Sequence, residues 1–71
     1  MSKVFSINVP GKHGYSFAVQ CDDSYDEESV IDLALENGLF EEDYDADYAV
    51  GEDITDSEYD RNAFASCTHT L

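Results

Sequence analysis

Asp43, Asp45 and Asp47 sit at alternate positions and are the first residues whose type and spacing could do chemistry. Carboxylates at i, i+2 and i+4 converge on a hard cation when a loop turns sharply. A calcium loop of the EF-hand kind then needs Gly at its sixth position and Glu at its twelfth. Those places hold Tyr48 and Ile54, so the pattern departs from that loop at both diagnostic positions. Cys67-Thr-His69, with Cys21 and His13, supplies zinc-type ligand atoms, but no Cys-x-x-Cys pair organises them. No metal and no cofactor is expected. Phosphate loops, nucleophile motifs and His-Glu-x-x-His are absent from the sequence. With 17 acidic residues in 71, carboxylate pairs are too abundant for any one to read as an acid/base pair. The chain is expected not to be an enzyme.

Charge is the stronger signal. All 17 acids lie between Asp22 and Asp60, with Lys3, Lys12 and Arg61 outside that block, and the net charge is -14. Charge of this size bears on partners and solubility and not on fold. The first 21 residues carry no acid, which fits poorly with the uniform acidity of proteins adapted to salt. Tyr25, Tyr44, Tyr48 and Tyr59 are interleaved with Asp and Glu. Carboxylates with exposed Tyr can occupy a protein site built for phosphates and stacked bases, because the partner's Lys and Arg exchange their anions for carboxylates. The candidate partner-binding residues are Glu41, Glu42, Asp43, Tyr44, Asp45 and Asp47 in an acidic loop. Asp26, Glu28, Asp32 and Glu36 on the exposed side of a helix come next. The basic, aromatic-rich patches of a direct nucleic-acid binder are missing. Crowding of like charges should raise the average carboxylate pKa in the folded state.

These groups need elements to hold them. Phe5, Ile7 and Val9 alternate with Ser6 and Asn8; Tyr15, Phe17, Val19 and Cys21 alternate with Ser16, Ala18 and Gln20. Turn residues lie between, at Pro10-Gly11-Lys12-His13-Gly14. Pairing Val9 with Tyr15 sets Ile7 opposite Phe17 and Phe5 opposite Val19, so both apolar faces coincide in a half-buried hairpin. Ser24-Tyr-Asp-Glu27 fits a capping box and predicts a helix from Ser24. Its apolar stripe is Val30, Ile31, Ala34 and Leu35, widened by Leu33, and Asn37-Gly38 stops it with Leu39 folded back. Tyr48 to Ile54 reads as a third strand, with Tyr48, Val50 and Ile54 on one face and Gly51 as a bulge. Thr55-Asp-Ser-Glu58 is a second capping-box match. Tyr59, Ala63 and Cys67 then recur at helical spacing, whereas Ala65 to Leu71 also alternates as a strand, so 59–71 stays open between the two.

The expected fold class is α+β: a small, mainly antiparallel sheet, made of the N-terminal hairpin and a third strand, packed on one helix. The order is ββαβ followed by a short helix or strand, in a single domain over 1–71. One core should join Phe5, Ile7, Val9, Phe17, Val19, Val30, Ile31, Ala34, Leu35 and Val50. A composition 42% hydrophobic and 13% aromatic is too apolar for a disordered acidic tail. Cys21 and Cys67 read as reduced thiols, with pairing open if the C-terminal segment lies beside the second strand. Met1-Ser2-Lys3 runs straight into strand alternation without an apolar h-region, and no stretch approaches a membrane span. A cytoplasmic protein without membrane contact is expected.

The carboxylate block from Asp22 to Asp60 on a short αβ scaffold, with Glu41-Glu-Asp-Tyr-Asp-Ala-Asp-Tyr48 as its most typical stretch, resembles the small phage-encoded DNA-mimic inhibitors. That group includes anti-CRISPR and anti-restriction proteins and the uracil-DNA glycosylase inhibitor. The resemblance is one of class, without a shared motif that assigns residue roles. It implies a viral or mobile-element protein in the host bacterial cytoplasm, an inhibitor acting by protein–protein interaction. Its partner would be a nucleic-acid-binding bacterial protein or complex, a CRISPR effector first of all, with no direct contact to nucleic acid. The alternative is a small bacterial adaptor or regulatory domain whose acidity serves solubility.

Overall fold

The computed structural model describes residues 2–11 and 14–71. Lys12 and His13, part of the expected hairpin turn and of the zinc-type ligand set, lie outside the described residues. Strands β1 (Ser2–Val9) and β2 (Tyr15–Asp22) pair antiparallel in the expected register, with Val9 opposite Tyr15, Ile7 opposite Phe17 and Phe5 opposite Val19. The chain then forms helix α1 (Ser29–Glu36), a four-residue helix α2 (Asp45–Tyr48), strand β3 (Val50–Asp53), helix α3 (Glu58–Ala63), a 3-10 turn at Ala65–Cys67, and strand β4 (Thr68–Thr70). The sheet order is β3-β1-β2-β4, antiparallel except that β4 runs parallel to β2. The fold is α+β with an N-terminal hairpin. The segment left open over 59–71 is helix first and strand last.

Side chains alternate across a strand, which defines two sheet faces. The first carries Phe5, Ile7, Val9, Phe17, Val19 and Cys21, joined in one core by Val30 and Ala34 of α1 and by Phe40. Ile31, Leu33, Leu35 and Leu39 pack against that core partly buried. The expected stop of α1 is present: Gly38 takes φ +71, the Leu39 N–H donates to the Ala34 carbonyl and the Gly38 N–H to the Leu35 carbonyl.

The second face is covered only in part, in keeping with a half-buried hairpin: Asn8 and Ser16 are exposed and Val4, Ser6 and Gln20 half-buried. Ala18 is fully buried, and a groove over this face is lined by Val4 and Gln20 from the sheet and by Arg61 and Ala65 from the C-terminal segment. Ile54, whose N–H donates to the Val4 carbonyl, is only 2% exposed at the edge of the same face.

Strand β3 corrects three expectations. It starts at Val50, because Tyr48 ends α2 and is exposed. Val50 is 61% exposed and no part of the core. Its partner is Asn8, on the second face, so Gly51 and Asp53 face the core side opposite Ile7 and Phe5. The pairing runs without interruption, so Gly51 is not a bulge. A Cβ there would stand 2.7 Å from the Glu27 carbonyl oxygen, so Gly51 lets the chain entering α1 lie against the sheet edge.

Both helix starts lie later than the capping boxes suggested. The Asp26 carboxylate, not Ser24, accepts from the Glu28 and Ser29 N–H groups at 3.0 and 2.7 Å, and Ser29 Oγ accepts from the Asp26 N–H. Ser57, not Thr55, caps α3, its Oγ accepting from the Asp60 N–H. In each case a strand-ending aspartate takes the residue two places on: Asp22 accepts the Ser24 N–H and Asp53 the Thr55 N–H, both at 2.9 Å. These Asx turns carry the chain off the sheet before helix can begin. Cys21 is buried and Cys67 exposed, and both thiols are free. β4 does lie beside β2, but Thr68 is level with Ala18, so Cys67 meets the sheet well away from Cys21.

Candidate functional site

Every predicted partner-binding carboxylate except Asp45 is exposed: Glu41, Glu42, Asp43, Asp47, Asp26, Glu28, Asp32 and Glu36. No polar or charged side chain is buried among the described residues. The acidic residues form several groups, however, and not one surface.

The central group, 41–48, is no free loop. Phe40 inserts into the core at its start, 8% exposed, with its ring edge-on to Phe17 at a centroid distance of 5.6 Å. Ala46 and Ala49 pack on the same core from the other end. Between them the Tyr15 hydroxyl donates to Asp45 Oδ2 at 2.8 Å and accepts from the Glu41 N–H at 3.0 Å. Burial raises the Tyr15 pKa above its ordinary value; the Glu41 N–H works against that shift and the bond to Asp45 works with it. Asp45 is therefore half-buried and engaged in holding the segment, unlike its neighbours. Turns close through Glu42–Asp45 and Asp43–Ala46 into α2. Tyr44 and Tyr48 stand outward, 58% and 64% exposed, one helical turn apart. The neighbouring Glu42 carboxylate raises the Tyr44 pKa.

A second group surrounds the entry to α1. Asp26, Glu27, Glu28 and Asp53 line one groove together with Lys3. The Asp26 carboxyl is held below its ordinary range chiefly by the Ser29 N–H, and Asp53 by the Thr55 hydroxyl and then its N–H, Lys3 adding a smaller part in both. Asp22 is lowered in the same way by the Ser24 N–H. All three carboxylates thus move opposite to the crowding expectation, because each accepts donors at short range. Asp26 is committed to the helix entry and Glu28 stands just before α1, not on it, which leaves Asp32 and Glu36 as the predicted acids on the helix itself, both exposed.

A third group, Glu58 and Asp60, goes with α3 to the second face, and with it Tyr59 at 81% exposure. Tyr25 packs partly buried against the core. The four tyrosines interleaved in sequence therefore do not share one surface. Among the described residues, no group of three or more His, Cys, Asp or Glu side chains converges as a metal-ligand set.

Sequence reasoning missed Phe40 and Tyr15, the two residues that fix the central group. Phe40 is the last apolar residue before the acidic run, and that adjacency was its signal. Nothing local marks Tyr15, since its partners lie 26 and 30 residues away. Comparison with protein-family models, with known proteins and with solved structures finds no match to this chain.

Proposed function

We propose that this protein is a non-enzymatic inhibitor of phage or mobile-element origin that occupies a nucleic-acid-binding site. Its target is a bacterial protein or complex, with a CRISPR effector the first to test. The observation that supports this reading is the segment 41–48. It sets Glu41, Glu42, Asp43 and Asp47 in solvent around two outward tyrosines, Tyr44 and Tyr48, on a backbone pinned at both ends. Pinning lowers the ordering cost of binding. Carboxylates offer a cationic channel what phosphates offer, and tyrosine rings offer what bases offer. The test is competition: binding to the target should fall steeply with salt and be displaced by the target's own DNA or RNA. Changing Glu42, Asp43 and Asp47 together to Lys should abolish binding with the circular dichroism spectrum intact. Salt-independent binding that survives the triple change would remove this reading.

The adaptor reading draws on a different observation, the exposed Val50 on edge strand β3. It requires binding that is lost on Val50→Asp and indifferent to salt.

A further inference from the structure

A cavity of about 190 Å³ opens where the end of β1 meets the acidic segment, lined in part by Pro10, Tyr15, Glu41, Glu42, Tyr44 and Asp45. Its chemistry is mixed in a particular way. Two aromatic rings and a proline ring give it apolar walls, and three carboxylates stand on the same lining. The Tyr15 hydroxyl is already used on Asp45 and the Glu41 N–H, so that side chain meets an occupant with its ring and not its polar end. Asp45 gives Oδ2 to Tyr15, and no hydrogen bond engages Oδ1 among the described residues.

We propose that this cavity receives one arginine side chain of the partner protein, its guanidinium set against the Tyr15 and Tyr44 rings and bonded to the carboxylates of Glu41, Glu42 and Asp45. A guanidinium is the group that satisfies both halves of such a lining. It is planar and weakly hydrated, stacks on aromatic faces, and carries five donors for carboxylate oxygens. An ammonium is more strongly hydrated and cannot stack, so the cavity discriminates arginine from lysine. The inference deepens the proposed function and rests on it only for where that arginine comes from, a nucleic-acid-binding surface. It makes Tyr44 a specificity residue, and the surrounding exposed acids contribute attraction without choice.

N-acetyl-arginine amide is the probe, titrated into the isotopically labelled protein, with N-acetyl-lysine amide as comparison. Saturable shifts are expected at the Tyr15 and Tyr44 rings and the Glu41–Asp45 amides, with little change at Asp32 and Glu36. Arginine should bind more tightly than lysine. Tyr44→Ala, at an exposed position, should weaken the arginine complex about two- to fivefold and erase the preference over lysine. The titration is repeated with Lys12→Ala, so that a lysine of the protein itself is absent from the comparison. Absence of cavity shifts in both proteins overturns the proposal, as do equal shifts at Asp32 and Glu36 or an arginine response indifferent to Tyr44→Ala. Arginine binding by a protein that competes with no nucleic acid on any target keeps the cavity and removes the inhibitor reading. Target binding that ignores Tyr44→Ala does the reverse.

Discussion

Tyr15 and Asp45 are joined by a hydrogen bond of 2.8 Å across 30 residues of chain, and the same hydroxyl accepts the Glu41 N–H. The first residue of β2 thereby fixes the acidic segment to the hairpin. Tyr15→Phe keeps the ring and removes the hydroxyl. A hydrogen bond to a charged group contributes roughly 1.5–3 kcal/mol, less where solvent reaches it. Amide hydrogen exchange over 41–48 should accelerate in this variant while β1 and β2 keep their protection. Unchanged exchange there would mean that Phe40 and the alanines suffice.

Asp45 should separate from its neighbours when acids are changed singly. Asp45→Asn retains an oxygen that can accept from Tyr15 and should melt close to the parent. Asp45→Lys removes the acceptor and should lower the melting temperature, whereas Asp43→Lys and Asp47→Lys, both exposed, should leave it unchanged or raise it by relieving repulsion. Thermal melts of the four variants at one ionic strength decide this.

The pH dependence follows from three carboxylates. Asp22, Asp26 and Asp53 have folded-state pKa values below the ordinary 3.8. A depressed folded pKa means that the unfolded chain binds protons more readily, so the stabilisation is complete above the unfolded value and is lost as pH falls through the folded one. Melting temperature should drop below about pH 4, and Asp53→Asn should make that acid limb shallower. A melting temperature that climbs steadily into the acid limb would show that repulsion among the other carboxylates outweighs these three.

Gly51→Ala should destabilise although the site is a surface strand. The added methyl meets the Glu27 carbonyl oxygen at 2.7 Å, and a backbone atom cannot swing aside as a side-chain tip can. Overpacking of this kind costs about 1–3 kcal/mol. Urea melts of the alanine variant check it, and a midpoint equal to the parent's would show that the entry to α1 shifts freely.

The hairpin register and the stripe and stop of α1 were legible in the residues because each depends on neighbours close along the chain. Val9 meets Tyr15 across a short turn, and a slip by one residue would turn every side chain to the wrong face. Gly38 ends α1 by a purely local bond pattern. The caps were half legible. The capping pattern matched at Ser24 and Thr55, yet Asp22 and Asp53 engage those residues in turns, so Asp26 and Ser57 do the capping. Sequence alternation in β3 identifies two faces but not which one is inward. Pairing of Ile7 with Gly51 settled that, and it turned Val50 outward. The acidic composition was plain from the chain, but its division was not. The C-terminal segment lies by Val4 and Gln20 on the second face, which takes Tyr59 and the α3 acids away from Tyr44 and Tyr48, and Tyr15 binds Asp45 across the fold. Such contacts join residues far apart in sequence, and no local pattern encodes which distant partner a side chain will meet.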